Sequence, residues 1–194
     1  MKQTDWACDC GAFQARIDLR GSARVVCYCK FCRAFAHHSG AAEQLDEAGG
    51  TDLIQSVPER PSILAGAKHL RCLRLSCKGP LRWYVGCCGT PIGSIFARRS
   101  LPYLAVWSAG VTDRGQLSPV QVRANLAGAR GPVDASGQRW ATVLFGLARR
   151  TIGSLLTGHF RDTQFFDRDG APVAKVERLT PEQKSAAFAA SEGS

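Results

Sequence analysis

The sequence predicts a mainly β fold of antiparallel sheets with a helical insertion in the C-terminal third. Three observations carry that prediction. Short strand-like runs, cut by turn residues, follow one another from Ala12 to about Val111; cysteines fall in three tight groups; and composition shifts toward helix formers after Val111. A chain of 194 residues, 45% of them hydrophobic, suits a single domain with a sizeable core. Its expected parts are a β core over 1–111, a helical insertion over 112–160, and a β hairpin with a C-terminal helix over 161–194.

The strand candidates, in order, are "FQARIDL", "RVVCYC", "TDLIQSV", "SILAG", "HLRCLRLSC", "LRWYVG", "IGSIFA" and "YLAVWSAGV". Between Cys32 and Gly50 the run is richer in helix formers, so a short helix or ordered loop is expected over one end of the sheet. In "LSPVQVRANLAG", Ser118 as N-cap, Pro119 at the first helical position and Gly128 as a stop predict a helix. A second is expected from about Ser136 to Gly158, with Trp140, Val143, Leu144, Leu147, Leu155 and Leu156 forming a broad apolar surface. Arg149 and Arg150 interrupt it. They read as charges reaching solvent from a core-facing helix, the alternatives being contact with a membrane surface or an anionic ligand. Asp169 and Gly170 mark a hairpin turn, and Thr180 and Pro181 open a last short helix.

Composition narrows the classes of function. The start "MKQTDWACDCGAF" carries no apolar run, and no stretch reaches the ~18 apolar residues of a membrane span, so a cytoplasmic protein is expected. The net charge of +9 permits anionic partners without selecting one. Its arginines are scattered and lack interleaved aromatics, which argues against nucleic acid.

Nine cysteines, an odd count in a reducing compartment, point to metal rather than to disulfides. Seven are grouped: Cys8 and Cys10 in "CDCG", Cys27, Cys29 and Cys32 in "CYCKFC", and Cys87 and Cys88 in "GCCGTP". Residues two apart on a strand share a face, so a C-x-C pair is half of a zinc site. Structural zinc takes four protein ligands and catalytic zinc three. Four and three is how seven thiols divide, with the Cys87–Cys88 turn closing the site begun by Cys8 and Cys10, and the trio forming the other. Adjacent strand residues face opposite sides, so Cys87 and Cys88 serve one ion only if the backbone turns there, as Gly89 permits. Cys72 and Cys77, among Leu70, Leu73 and Leu75, are expected in the core, as are Trp83 and Tyr84. His37 and His38 are expected in surface or loop packing, with a fourth ligand or a proton carrier as the alternative.

The order C-x-C-G, C-x-C-x-x-C-R, then C-G-T-P after an aromatic strand resembles the glutathione-dependent formaldehyde-activating enzyme family, whose superfamily includes the centromere protein V domain. Residues from about Ala7 to Val111 carry the likeness. It implies zinc-stiffened, stacked antiparallel sheets, a structural zinc held by Cys8, Cys10 and Cys88, and a labile zinc at the active-site thiols Cys27, Cys29 and Cys32. Arg33 would attract a carboxylate of glutathione or lower a thiol pKa. The family's third motif sets its cysteines three apart; here Val85 stands at that position and Cys87 beside Cys88. The segment 112–160 lies outside the family core. Over its whole length the chain also resembles bacterial proteins with an "RWY" and "CCxTP" pattern and no assigned activity.

The implied function is a carbon–sulfur lyase reaction on adducts of glutathione, or another small thiol, with an aldehyde. The alternatives are a non-catalytic zinc-stabilised binding module and a thiol-based zinc or redox sensor.

Overall fold

The computed structural model describes residues 3–98 and 100–193. Gln3–Ala7 (β1), Gln14–Asp18 (β2) and Pro61–Ala65 (β5) form a small antiparallel sheet in the order β1-β2-β5. In β1, Thr4 and Trp6 point inward while Gln3 and Asp5 face solvent, the period-2 pattern of a half-buried strand. Sequence patterning missed β1, because two inward residues in five leave too short a signal.

The large sheet has eight strands: Ala23–Cys27 (β3), Thr51–Ser56 (β4), Leu70–Arg74 (β6), Leu81–Val85 (β7), Pro91–Ile95 (β8), Leu104–Trp107 (β9), Val122–Ala124 (β10) and Val176–Arg178 (β11). Their order is β10-β3-β4-β9-β8-β7-β6-β11. The six inner strands pair antiparallel, as expected. The two edges do not: β10 pairs parallel with β3 and β11 parallel with β6, so the sheet is mixed. Both edge strands arrive after long excursions of the chain, which frees them from the reversal that a tight hairpin imposes.

The sheets stack over a core of Trp6, Phe13, Ile17, Trp83, Ile95 and Phe165, and the Trp83 and Phe165 ring centroids lie 5.1 Å apart. On the other face of the large sheet pack the helices Lys30–Ser39 (α1) and Pro181–Gly193 (α3). There Phe35 meets Trp107 edge to face, and Leu53 and Leu73 complete the layer. Strand β7 serves both layers. Leu81, Trp83 and Val85 enter the core between the sheets, while Arg82 and Tyr84 face the helices. Thr180 Oγ1 accepts from the Gln183 N–H as Gln183 Oε1 accepts from the Thr180 N–H, the capping box expected of that helix start. Asp167–Ala171 makes the expected turn, closed by a bridge between Phe166 and Pro172.

Three expectations need correction. The helix predicted at 118–128 is the edge strand β10 followed by a single helical turn, because the Gln121 N–H donates to the Arg24 carbonyl and Val122 is buried with Val25. Free sheet edge outcompetes the capping signal. The second helix forms as Trp140–Thr157 (α2), ending at a left-handed Gly158, and buries Val143 as expected, but beside it are buried Arg150 and Ser154, while Trp140, Leu144, Leu155 and Leu156 of the expected apolar surface are exposed, with Phe145 and Ile152. Cys72 is fully buried as expected, whereas Cys77 is exposed in the turn after β6. Among the described residues no helix is long and apolar enough to cross a membrane.

Candidate metal centres

The four-thiol centre is assembled from two turns. After β1 the chain turns through Cys8–Gly11, and after β7 it turns through Val85–Thr90, where the Val85 carbonyl accepts from Gly89 and the Val85 N–H donates to the Thr90 carbonyl. Gly89 sits at φ +78°, a left-handed conformation that closes the turn. The backbone therefore turns between Cys87 and Cys88, and both sulfurs converge with those of Cys8 and Cys10 within 4.8 Å of one another. Cys8 and Cys10 Sγ are 3.6 Å apart, and Cys10 and Cys87 Sγ 3.3 Å. Four thiolates arranged tetrahedrally at about 2.3 Å from an ion are separated by about 3.8 Å, so this donor set fits a soft divalent metal. Val85, where the related motif has a cysteine, is fully buried in the core, and Cys87 completes the quartet.

Neighbouring donors tune these sulfurs. The Phe13 N–H donates to Cys8 Sγ at 3.2 Å. Burial pushes the Cys88 thiol up, but the Thr90 hydroxyl at 3.1 Å and the N–H groups of Thr90 and Cys10 pull it down to about 7. Thr90 Oγ1 also accepts from the Asp9 N–H and lies 2.8 Å from Asp9 Oδ2, tying the two turns together.

The three-thiol centre lies on the other side of the large sheet. Cys27 ends β3, Cys29 is the N-cap residue of α1, and Cys32 stands in its first turn; their sulfurs also lie within 4.8 Å of one another. Cys27 and Cys29 are half-buried and Cys32 is buried. Hydrogen bonds from Cys27 and Cys32 hold the Cys29 thiol far below its usual range, while contacts with Cys27 and Cys29, and burial, push Cys32 up. The charge thus concentrates on Cys29, at the positive end of α1. Among the described residues no fourth His, Cys, Asp or Glu donor joins the three, so His37 and His38, in the last turn of α1, stand apart from them.

Two residues that sequence reasoning passed over complete this site. Arg82, buried on β7, reaches Cys32 Sγ with Nη1 at 3.6 Å and Ser94 Oγ at 2.8 Å, and stacks over Phe35. Asn125, the one non-glycine residue with positive φ among those described, donates from Nδ2 to Cys27 Sγ at 3.2 Å. An arginine between apolar strand residues was the available signal for the first; nothing local marks the second. Arg33 was expected to attract an anion. It is buried, and donates to the carbonyls of Tyr28, Gly128 and Ser191, pinning α1 to the inserted segment and to α3.

Residues 1–177 match the model of a family of unknown function, DUF6151. No curated protein matches the chain. The crystal structure of a Rhodobacter sphaeroides protein, a Northeast Structural Genomics target, is similar at 18% identity and a TM-score of 0.42, over 62% of this chain and 99% of that one. So distant a likeness says nothing of function.

Proposed function

For a chain that belongs to DUF6151, a family of unknown function, we propose a zinc protein with one structural and one labile ion, whose second centre acts on adducts of a small thiol with an aldehyde. The observation that carries this reading is the division of seven grouped thiols into a quartet and a trio without a fourth protein donor among the described residues. Closed four-ligand sites stabilise folds, and three-ligand sites leave room for a substrate. The resemblance of the motifs to the formaldehyde-activating family supports the same assignment of roles.

The reaction is the reversible addition of glutathione, or another low-molecular-weight thiol, to formaldehyde. A carbon–sulfur bond forms as the carbonyl π bond breaks, and the thiol's proton ends on the hydroxyl of the hemithioacetal. Cys27, Cys29 and Cys32 would hold a zinc ion, which would supply Lewis acidity and lower the pKa of a thiol. Arg82 holds a fixed positive charge beside Cys32, where developing negative charge gains most from a preorganised partner. Asn125 orients Cys27 through its amide N–H. Arg33 holds the α1 N-terminus, and so Cys29, in place.

Metal analysis before and after mild chelation is expected to find two zinc ions, one tight and one labile. Cys29→Ala is expected to keep the fold, lose one ion and abolish consumption of formaldehyde with glutathione or another thiol of a small panel. A single ion in wild-type protein removes the two-centre reading. Wild-type protein that neither binds any of those thiols by calorimetry nor speeds adduct formation removes the lyase. A second reading, a zinc-stabilised binding module, is favoured by the apolar face that α2 turns to solvent, and it predicts two ions without turnover.

A further inference from the structure

Helix α2 buries a charged and a polar side chain where a surface helix ordinarily buries apolar ones. Arg150 is 5% exposed and Ser154 6%, and both line a cavity of about 490 Å³ together with Arg20, Arg60 and Arg149. Arg150 Nη1 donates to the Gly21 carbonyl in the β2–β3 turn, and Arg60 Nη1 donates to the Arg20 carbonyl. Arg150 Nε and Nη2 and Ser154 Oγ have no partner. A buried guanidinium with two N–H edges unmatched costs several kcal/mol unless something else meets them.

The carboxylates at the cavity do not do so. Asp18 is engaged by Arg20 through contacts of 2.6 to 3.0 Å, and Asp162 pairs with His159 at 3.0 Å. Glu59, half-buried, leaves Oε2 without a partner. Among the described residues no carboxylate forms an ion pair with Arg60, Arg149 or Arg150. Arg20, Arg60, Arg149 and Arg150 against Asp18, Glu59 and Asp162, with histidine counted as neutral, leave about one positive charge. Burial, with Arg60 and Arg149 close by, pulls the Arg150 guanidinium down to about 10, so it remains charged at neutral pH.

We propose that this cavity, between α2 and the β2–β3 turn, is an oxyanion site that takes the phosphate group of a phosphorylated small molecule. A phosphate monoester carries about −1.5 to −2 charge at neutral pH, opposite in sign to the surplus, and its oxygens accept from guanidinium forks and a hydroxyl. The volume falls in the roughly 300–1,000 Å³ range of small-molecule sites, so the cavity holds more than the phosphate alone. The site stands apart from the trio: Cys27 is the last residue of β3, while Gly21 lies in the turn before its first residue, Ala23, which is about 13 Å from Cys27 at about 3.3 Å per residue. It holds whether or not the thiol chemistry does. Because the apolar face of α2 is exposed on the same helix, either a free metabolite or a lipid headgroup can carry the phosphate, and the test separates the two.

The metal-loaded full chain is titrated with inorganic phosphate by calorimetry, and sedimented with phosphatidylcholine vesicles with and without phosphatidic acid. The control is the double variant Arg60→Ala/Arg149→Ala, which alters neither thiol centre and whose zinc content and melt are checked alongside. Saturable one-to-one phosphate binding, weakened at least tenfold in the variant, is the expected result. Vesicle binding that needs phosphatidic acid and is lost in the variant supports the same site with a lipid as the source. Should the double variant fold poorly, Ser154→Ala, which removes one hydroxyl, is expected to weaken phosphate binding several-fold. No saturable binding in either arm, or binding that persists in the folded variants, overturns the proposal.

Discussion

Replacing Gly89 by alanine probes the link between the turn that carries Cys87 and Cys88 and the rest of the fold. Gly89 is held at φ +78°, its N–H donates to the Val85 carbonyl at 2.8 Å, and an added Cβ would lie 2.3 Å from the Ser39 carbonyl oxygen at the end of α1. The left-handed conformation costs an L-residue about 1–2 kcal/mol. Relieving the overlap moves backbone against backbone, at about 1–3 kcal/mol by analogy with overpacked cores. Together these give about 2–5 kcal/mol, or, at roughly 2–4 °C per kcal/mol for a chain of this size, a melting temperature lower by about 4–20 °C. The turn moves away from α1 and takes two of four sulfurs with it, so the same variant is expected to release the tight metal ion to a chelator sooner. The assay is a thermal melt with metal analysis, beside Gly153→Ala. Gly153 lies inside α2 with nothing within 4 Å of its Cβ position, so alanine there is expected to be neutral or stabilising by up to about 1 kcal/mol. A Gly89→Ala melt within about 0.5 kcal/mol of wild type, or an equal loss in Gly153→Ala, would refute the geometry.

Cys87→Ser is expected to remove the tight ion and lower the melt as much as Cys10→Ala does, since both belong to one quartet; metal content unchanged in Cys87→Ser would return the fourth ligand to another residue. A pH effect is expected at Asp18. Burial raises this carboxyl, but hydrogen bonds from the Arg20 guanidinium and backbone N–H outweigh it and leave the carboxyl below its ordinary range. A depressed carboxyl contributes stability above its unfolded pKa of about 3.9 and loses it as pH falls through the folded value. Asp18→Asn is therefore expected to be less stable than wild type at pH 7, with the difference shrinking below about pH 4 in denaturant melts; a gap that stays constant with pH would show that the carboxylate charge contributes nothing.

Local chemistry made much of this protein legible from its residues in order. The C-x-C and C-x-x-C spacings placed Cys8 beside Cys10 and grouped Cys27, Cys29 and Cys32, because a few residues of strand or helix start allow few separations. Alternating apolar runs marked eight of the strands, and Thr180 and Pro181 marked the start of α3, since side-chain period and capping act within a turn or two of chain. The tertiary structure decided what distance along the chain leaves open. Cys10 meets Cys87 across 77 residues, and only the turn at Gly89 brings both adjacent thiols to one point. Arg82 and Asn125 reach the trio from a strand and an insert far from it along the chain. The same holds for α2. Its residues read as an apolar helix to be buried on its leucines; against β3 it does bury Val143, but the β2–β3 turn presents the Gly21 carbonyl, which is met by a guanidinium rather than by a leucine, so Arg150 went in and Leu156 stayed out.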